Sequence, residues 1–316
     1  MKHFKKTMVV AALAAGMFIQ STAHAAPVVT EADAILRLLN FEFTATDGAG
    51  ITSTVTAGTH VTGLVGTNSA DDFSSLDGTA SFFGANSPLG ADLSITQACV
   101  GSCVGENNFT TLGSTFFAGT NPSDGAFADA NLADSAIAGL GGSVGAEAET
   151  RATSALETGF VGDATSNIGL IVSLDFTAGA DFDLGVSTDF DWTAHTFVDA
   201  LALAGTSAQA STAFNLTITE TLSGALAGFY APGELNNTFA SLNAGELQGS
   251  ENVMGHLDSG VIASLTDGTR YTLNLRHATQ ADVLRVAIPE PSMVAILGLG
   301  MLAMLGTASV GTRRRK

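Results

Sequence analysis

Two pairs of aspartates are the side chains of this chain best placed by type and spacing to do chemistry. They stand as Asp181-Phe-Asp183 and Asp189-Phe-Asp191. Alternate side chains of a strand point to opposite faces, so each pair is predicted to share a face, with the phenylalanines on the other. The carboxylates could hold Ca²⁺, as weak candidates, or serve a glycosidase as acid and nucleophile. Because no EF-hand loop accompanies them, the simpler interpretation is a solvated sheet face in an acidic protein.

The second candidate is the serine of Gly141-Gly-Ser143-Val-Gly145, which fits the Gly-x-Ser-x-Gly pattern of a nucleophile elbow. That pattern requires a preceding strand, a following helix and partner acid and His residues in an α/β sheet. Ala-rich sequence precedes it and the rest of the chain indicates β-structure, so we interpret the match as chance. A secreted hydrolase is therefore only the third hypothesis, and no catalytic residue is assigned. Four histidines are not spaced as a metal pair and are expected to be surface or packing residues: His60, His195, His256 and His277.

The two cysteines of the chain, Cys99 and Cys103, stand close together in Cys-Val-Gly-Ser-Cys. Export to an oxidising compartment would favour a local disulfide between them. So small a loop removes little chain entropy, and the bond would pin a turn more than it would stabilise the fold. A redox-active pair is the alternative, whereas a zinc site lacks further His or Cys ligands nearby.

The elements that carry these residues are predicted to be β-strands. Apolar residues alternate with polar ones most clearly over 169–176, 212–220 and 270–276, and a further strand is expected over 283–288. This alternation is typical of half-buried antiparallel sheet. Many short strands with Asp-Gly turns indicate an all-β domain built as a two-sheet sandwich or jelly roll. The Asp-Gly pairs begin at Asp47, Asp77, Asp124 and Asp267.

Other segments give weaker signals. Residues 49–130 are predicted to be loop-rich with brief strands, among them 80–83, 93–98 and 108–117. The Ala-rich residues 126–160 fit a short helix, a long connection or an Ala-rich strand, and residues 221–260 are expected to be connections. After Thr30, a strand could place on one face the side chains of Ile35, Arg37, Leu39, Phe41 and Phe43.

The N-terminus has the features of a secretory signal peptide. Three lysines within the first six residues precede an apolar run over 8–19, and Ala23 and Ala25 follow. We predict that residues 1–25 are removed by signal peptidase, which makes Ala26 the mature N-terminus. An N-terminal anchor is the alternative, but the apolar run is short for one.

The charge balance narrows the choice of partners. Residues 26–290 contain all thirty acidic residues of the chain and five arginines, a difference of −25, and no lysine. Such a surface repels nucleic acid and anionic lipid, so both are excluded as partners. It favours solubility and could attract divalent cations.

The last part of the chain has three pieces in a fixed order. Pro289, Glu290 and Pro291 come first, and an uncharged apolar run then covers 293–310. The run is about as long as the shortest helices that cross a bilayer. A basic cluster closes the chain and is predicted to stay on the cytoplasmic side as a stop and orientation signal: Arg313, Arg314, Arg315 and Lys316. An ordinary single-span anchor would need only the apolar run and the cluster.

The order of these three pieces resembles the PEP-CTERM sorting signal over residues 289–316. The resemblance implies a protein of Gram-negative bacteria that often secrete exopolysaccharide. It also implies that Pro289, Glu290 and Pro291 are recognised by an exosortase, a membrane transpeptidase that cleaves such tails. Because the two prolines fix φ and forbid a helix, the motif should be an extended segment at the membrane surface.

The leading hypothesis is an exported, non-enzymatic protein with a secreted β-rich domain over residues 26–288. It would be held transiently in the inner membrane by its C-terminal helix, processed by the exosortase, and left at the cell surface or outside the cell. The resemblance implies a role with exopolysaccharide in extracellular matrix, biofilm or floc formation. The alternative is a calcium- or carbohydrate-binding adhesin.

Overall fold

Strand-forming sequence fills most of the part of the chain that the structure describes. The computed structural model describes residues 29–101, 125–133, 135–140, 146–156 and 162–286. No α-helix occurs in these ranges, which confirms the all-β prediction, and none of their elements is a helix that could cross a membrane. Residues Val28–Val286 cluster as one compact unit. Several predictions lie outside the described residues: the signal peptide 1–25, the strand 108–117, the segment 141–145 with Ser143, and the tail 289–316.

The described residues form fifteen strands and one short 3₁₀ turn at Gly233–Leu235. In chain order the strands are β1 (Thr30–Thr46), β2 (Thr52–Thr54), β3 (Val61–Leu76), β4 (Thr79–Pro88), β5 (Leu93–Gly101), β6 (Gly125–Ala133), β7 (Ala146–Leu156), β8 (Gly162–Ala178), β9 (Phe182–Val198), β10 (Ser207–Glu220), β11 (Leu226–Tyr230), β12 (Asn237–Ser241), β13 (Leu247–Asp258), β14 (Ala263–Leu265) and β15 (Arg270–Arg285).

The strands form two sheets. The first sheet has the order β13-β9-β1-β7-β6-β5, with β14 also paired to β9 and β2 to β1. The second sheet has the order β11-β10-β15-β8-β3-β4, with β12 also paired to β10. The strand pairings within both sheets are antiparallel, and most of them join strands that are distant in sequence.

Inward-facing side chains of both sheets form one hydrophobic cluster that changes in size along the strands. At one end it contains small residues, such as Ala34, Ala152 and Ala210, and at the other end large ones, such as Phe43 and Phe214. Phe41 of the first sheet packs against Phe214 of the second, with their ring centroids 6.2 Å apart. The large side chains hold the sheets apart at one end, and the small ones let them approach at the other.

Hydroxyl groups join the two sheets directly at the small-residue end. Ser154 Oγ on β7 donates to the carbonyl oxygen of Ala281 on β15 at 3.0 Å. Ser166 Oγ on β8 donates back to the carbonyl oxygen of Thr153 at 2.8 Å. Ser74 Oγ on β3 donates to the carbonyl oxygen of Ala98 on β5 at 2.8 Å. A serine side chain is short, so these bonds require the two backbones to lie close together.

A bulge in β1 overturns the predicted facing of that strand. The register with both neighbouring strands shifts at Leu39 and Asn40, and Asn40 has a φ of 52°. The extra residue reverses the alternation, so Leu36 and Leu38 share the core with Phe41 and Phe43. The prediction that Ile35, Arg37 and Leu39 share a face with Phe41 and Phe43 is therefore wrong, because it assumed an unbroken period of two.

The segments predicted as loops or as a possible helix are also mostly strand. Residues 61–76 and 79–88 are long strands, although Gly, Ser, Thr and Asn dominate there. Most of the described Ala-rich residues lie in β6 and β7, which are Ala-rich strands, whereas residues 135–140 form a connection with isolated bridges. Residues 221–260 include β11, β12 and β13. In β6 and β7, burial between closely spaced sheets favours Ala and Ser, and local propensity does not register that tertiary effect.

The strongest alternations are confirmed. The inward-facing residues of β8, β10 and β15 are those predicted, and 283–285 continues β15 instead of forming a separate strand. Asp77 and Gly78, with φ of 49° and 77°, form the two-residue turn between β3 and β4. Cys99 lies near the end of β5 and is disulfide-bonded, while Cys103 lies outside the described residues.

Candidate functional site

Asp181 lies just before β9 and Asp183 near its start, while Asp189 and Asp191 lie in its middle. Phe182, Leu184 and Phe190 are buried, whereas Asp183 and Asp189 are partly exposed. The predicted separation of carboxylates and phenylalanines onto opposite faces is confirmed for this strand. Strand pairing in the first sheet then decides what each carboxylate contacts.

The pair at the start of β9 is bound to the segment around β14. Asp183 Oδ1 accepts a hydrogen bond from Ser264 Oγ at 2.5 Å. Asp181 Oδ1 accepts one from the backbone N–H of Asp267 at 2.8 Å, in the turn that follows β14. These two carboxylates therefore hold β14 and its turn against the end of β9.

Asp189 joins three strands of the first sheet. Its Oδ2 accepts a hydrogen bond from Asn40 Nδ2 at 2.9 Å, and its Oδ1 lies 2.8 Å from His256 Nδ1. Asn40 is the bulge residue of β1, and His256 lies on β13. The hydrogen bond from Asn40, then that with His256, lowers the pKa of Asp189 from its ordinary value.

Asp191 belongs to an ion-pair network on the same face. Arg37 Nη1 lies 3.6 Å from Asp191 Oδ2, and Arg37 Nε lies 2.7 Å from Glu149 Oε1. Burial raises the pKa of Asp191, and the charge of Arg37 opposes that shift. Arg37 sits opposite both acids in the strand register, so the network spans β9, β1 and β7.

The two aspartate pairs do not converge on one point. Asp183 and Asp189 are six positions apart on one strand, which is about 20 Å at the rise of an extended chain. Among the described residues, no group of three or more His, Cys, Asp or Glu side chains could hold a metal ion. Calcium binding by these aspartates stays a prediction, and what the geometry provides is a set of ties between strands.

Two buried ionisable groups were not identified from the sequence. Asp72 on β3 is fully buried, and its carboxylate oxygens have no hydrogen-bond partner among the described residues. Burial raises its pKa from 3.8 to about 7. The Thr96 hydroxyl opposes that shift without forming a hydrogen bond of normal geometry, and the charges of Asp129 and Asp71 add to it. Nothing in the sequence around Asp72 indicates that it faces inward.

His277 on β15 is the second such group. It is fully buried, and neither ring nitrogen has a hydrogen-bond partner in the part of the chain that the structure describes. Burial lowers its pKa from 6.5 to about 3, so the ring is neutral at physiological pH. Its position continues the inward alternation of Tyr271, Leu273 and Leu275, and that signal could have identified it. The prediction of a packing residue agrees with this placement.

The remaining histidines have ordinary contacts. His60 Nδ1 accepts a hydrogen bond from the backbone N–H of Thr56 at 3.1 Å, and its ring packs edge-on against Phe182. His195 is buried on β9, and His256 pairs with Asp189 as described.

A small apolar cavity lies within the large-residue end of the core. Its volume is about 40 Å³, and its lining includes Leu38, Phe41, Leu170 and Leu275. That volume would hold about three water molecules, and the lining is almost entirely apolar. The cavity is a packing gap between the sheets.

A shallow depression of about 300 Å³ crosses the outer face of the second sheet. Its floor is a row of small cross-strand partners, Ala213, Ala278 and Gly169, on β10, β15 and β8. Longer polar side chains flank this row, with Arg276 on one side and Gln280 among those on the other. The resulting trough offers hydrogen-bond donors and one cation on a surface that is otherwise acidic.

Comparisons with known proteins find no relative of this chain. No protein-family model matches the chain, and neither the search of curated proteins nor that of solved structures finds a match.

Proposed function

We propose that this chain is an exported, non-enzymatic structural protein of the cell surface or extracellular matrix, sorted and processed by an exosortase. The contacts that the candidate carboxylates make are the observation that supports a structural role. Asp181, Asp183, Asp189 and Asp191 each contact a residue of another strand or of the turn beyond it. These side chains tie strands together, as a load-resisting scaffold requires.

The body of this protein is a β-sandwich over residues 26–288. Contacts between the two sheets support that architecture: Phe41 packs on Phe214, and Ser154 hydrogen-bonds to the backbone of Ala281. Two antiparallel sheets that share one core and have acidic outer faces suit a protein that stays folded and soluble outside the cell.

The sorting step is supported by the sequence of residues 289–316 and by its resemblance to the PEP-CTERM signal. Intact-mass measurement of the protein from its producing bacterium, with and without the exosortase, tests it. We expect a species that starts at Ala26 and ends near Pro289-Glu290-Pro291, present only with the enzyme. A species that still carries the basic cluster 313–316 in both strains would reduce the tail to a plain anchor. Extra mass at the new C-terminus would identify what the protein is joined to.

Carbohydrate binding is a second candidate function, and the trough on the second sheet favours it. Arg276 is exposed there beside amide and hydroxyl side chains, which can hydrogen-bond to the hydroxyl groups of a neutral polysaccharide that the acidic surface does not repel. Isothermal titration with a neutral polysaccharide, such as dextran, tests the idea with the variant Arg276→Gln. Arg270→Gln is the control, because Arg270 is also exposed but lies outside the trough. Equal binding by both variants and the parent protein would exclude the trough as the site.

Calcium binding is the other activity of the adhesin hypothesis. Thermal unfolding with and without millimolar Ca²⁺ tests it, and the double change Asp181→Asn with Asp183→Asn separates the first pair from the second. An unchanged melting temperature with Ca²⁺ would count against calcium binding by either pair.

A further inference from the structure

Strand β4 forms an edge of the second sheet and is open to solvent. It pairs with β3 on one side, from Thr79 opposite Leu76 to Pro88 opposite Thr67, without a register shift. Phe82 and Phe83 are 68% and 47% exposed. Before Pro88, the other side of β4 forms no backbone hydrogen bond with any described residue. A straight, ten-residue edge with two exposed phenylalanines is a ready template for another strand.

The turn that precedes β4 determines which backbone groups point outward. Because the Asp77-Gly78 turn has two residues, Leu76 and Thr79 form a hydrogen-bonded pair. Backbone groups then alternate in direction along an antiparallel strand. The outward N–H and C=O groups therefore belong to Ala80, Phe82, Gly84 and Asn86.

Two other sheet edges have protection that β4 lacks. Strand β13 carries His256 and Asp258, and its register with β9 shifts between Ser250 and Val253. Strand β11 is covered, because a Cβ added at Gly228 would lie 2.6 Å from the carbonyl oxygen of Ile262. Charges, bulges and covering segments are the usual ways in which proteins block pairing at a sheet edge. Strand β4 has no charged residue and no bulge.

The sequence of β4 favours a second copy of this chain as the partner. The charge difference of −25 over residues 26–290 opposes association of two copies, so a contact between them is least unfavourable at an uncharged strip. Strand β4 is such a strip. It is also self-complementary when two copies run antiparallel about a two-fold axis through Phe83.

In that register Ala80 faces Asn86 of the second copy, and Phe82 faces its Gly84. All four outward-pointing residues of each strand then form hydrogen-bonded pairs. Phe83 faces Phe83 of the second copy as a non-hydrogen-bonded pair, in which side chains come closest. The ring of Phe82 lies beside Gly84 of its own strand, with Cε1 3.8 Å from the position that a Cβ would take, and in the dimer it also faces Gly84 of the other copy. Pro88, which has no N–H, lies beyond the last of these pairs.

We infer that β4 is a self-association edge, through which two copies of this chain pair antiparallel about Phe83 and join their second sheets into one continuous sheet. A two-fold contact of this kind closes on itself, so it produces a dimer.

Sedimentation of the full-length chain in a mild detergent tests the contact across a wide range of protein concentration. We expect a monomer–dimer equilibrium for the parent chain and roughly a hundredfold weaker association for Phe82→Glu, because the new carboxylate faces the acidic second copy. Met254→Glu is the matched control, because Met254 is 73% exposed on β13 and outside the contact. Circular dichroism checks that both variants keep their β-structure. A monomeric parent chain, or a Phe82→Glu variant that associates as strongly as the parent, would overturn the inference.

Cysteine cross-linking tests the antiparallel register of the two β4 strands. Because Phe83 faces itself across the axis, Phe83→Cys is expected to form a covalent dimer under mild oxidation. Ser81→Cys alone should stay uncrosslinked, but it should cross-link when mixed with Ala85→Cys, since these positions face each other between copies. Cross-linking of Ser81→Cys alone, or none with Phe83→Cys, would contradict the antiparallel register.

Discussion

At the scale of single residues, two buried ionisable groups titrate in opposite senses. Asp72 has a pKa raised from 3.8 to about 7, and His277 has one lowered from 6.5 to about 3. As pH rises, the folded protein therefore keeps the Asp72 proton up to a higher pH than the unfolded chain does, and it loses the His277 proton at a lower pH. Each group changes the free energy of unfolding by about 1.4 kcal/mol per pH unit inside its window. The two contributions have opposite signs between about pH 4 and pH 6.5 and largely cancel there.

The change Asp72→Asn should remove the contribution of Asp72 to the free energy of unfolding, which falls as pH rises. Below pH 3.8 the carboxyl is protonated in both states, so its effect on stability is small there. As pH rises towards 7 the parent protein loses stability and the variant does not. We expect the variant to be more stable at pH 8 by about 2–4 kcal/mol. Urea unfolding at a series of pH values measures the difference.

The neighbouring Asp71→Asn is the control for that experiment. Asp71 is exposed on the opposite face of β3, and its charge makes the smallest of the contributions that raise the pKa of Asp72, so its substitution should change the pH profile far less than Asp72→Asn does. Equal pH profiles for Asp72→Asn and the parent would mean that Asp72 is hydrated in solution and titrates normally.

The change His277→Leu should remove the contribution of His277 to the free energy of unfolding, which rises with pH. Below pH 6.5 the unfolded chain binds a proton at His277 that the folded protein does not, so the parent loses stability as pH falls towards 3. The variant also removes two buried ring nitrogens that lack partners among the described residues, and we expect it to gain about 1–2 kcal/mol at pH 7. The same urea series measures both effects. A loss of stability for His277→Leu at pH 7 would show that the ring is hydrogen-bonded.

At the scale of single elements, the bulge in β1 positions both the core and the outer face of the first sheet. Asn40 adopts a left-handed φ of 52° and donates to Asp189. It aligns the two halves of β1 so that Leu38 and Phe41 both face the core. One residue thereby reverses the inside and outside of a long strand.

Substitutions of Asn40 should separate its backbone role from its hydrogen bond. Asn40→Gly and Asn40→Val both lose the bond to Asp189, but only valine resists the left-handed conformation. We expect Asn40→Val to be less stable than Asn40→Gly by about 1–2 kcal/mol in urea unfolding. Equal stability of the two variants would mean that the chain relaxes the bulge without a penalty.

The close approach of the sheets makes a second prediction at this scale. Ser154→Ala loses one hydrogen bond to the carbonyl of Ala281, which costs about 1 kcal/mol. Ser154→Val also adds volume where the sheets are already in contact, and overpacking adds about 1–3 kcal/mol. Thermal unfolding orders the variants. Ser173→Val, on the outer face of β8, should change little, and an equal effect of valine at both positions would contradict the close approach.

At the scale of the whole molecule, charge is the dominant long-range force. The acidic excess of residues 26–290 places like charges over a two-sheet body, and their mutual repulsion opposes the compact state. The same repulsion keeps molecules apart except where an uncharged surface such as β4 is presented. Stability and association should therefore both depend on ionic strength.

Salt should stabilise the folded protein. The Debye length falls from about 30 Å at 0.01 M salt to about 8 Å at 0.15 M, which screens the repulsion between surface carboxylates. We expect the melting temperature to rise over this range of NaCl concentration and the monomer–dimer equilibrium to shift towards dimer. A melting temperature that falls with added salt would mean that attractive ion pairs, such as Arg37 with Glu149, outweigh the repulsion.

The sequence by itself determined the local features of this protein. Strict alternation identified β8, β10 and β15 and their inward faces, because a half-buried strand must place apolar residues at every second position. The Asp77-Gly78 turn was identified because few residues other than glycine accept the required φ. The sorting tail and the signal peptide were also predicted from sequence, since both are defined by the order of short linear segments.

Only the tertiary structure decided the remaining features, because they depend on which strands become neighbours. The bulge at Asn40 reversed the predicted face of Ile35 and Arg37, and alternation alone contains no sign of the extra residue. Pairing across the first sheet brought Asn40 and His256 to Asp189 and kept the two aspartate pairs apart. The small side chains of β6 and β7, which also fitted a helix or a connection, form strands because closely packed sheets leave no room for larger ones. Long-range pairing therefore decides which carboxylates meet, which groups are buried and which edge stays open.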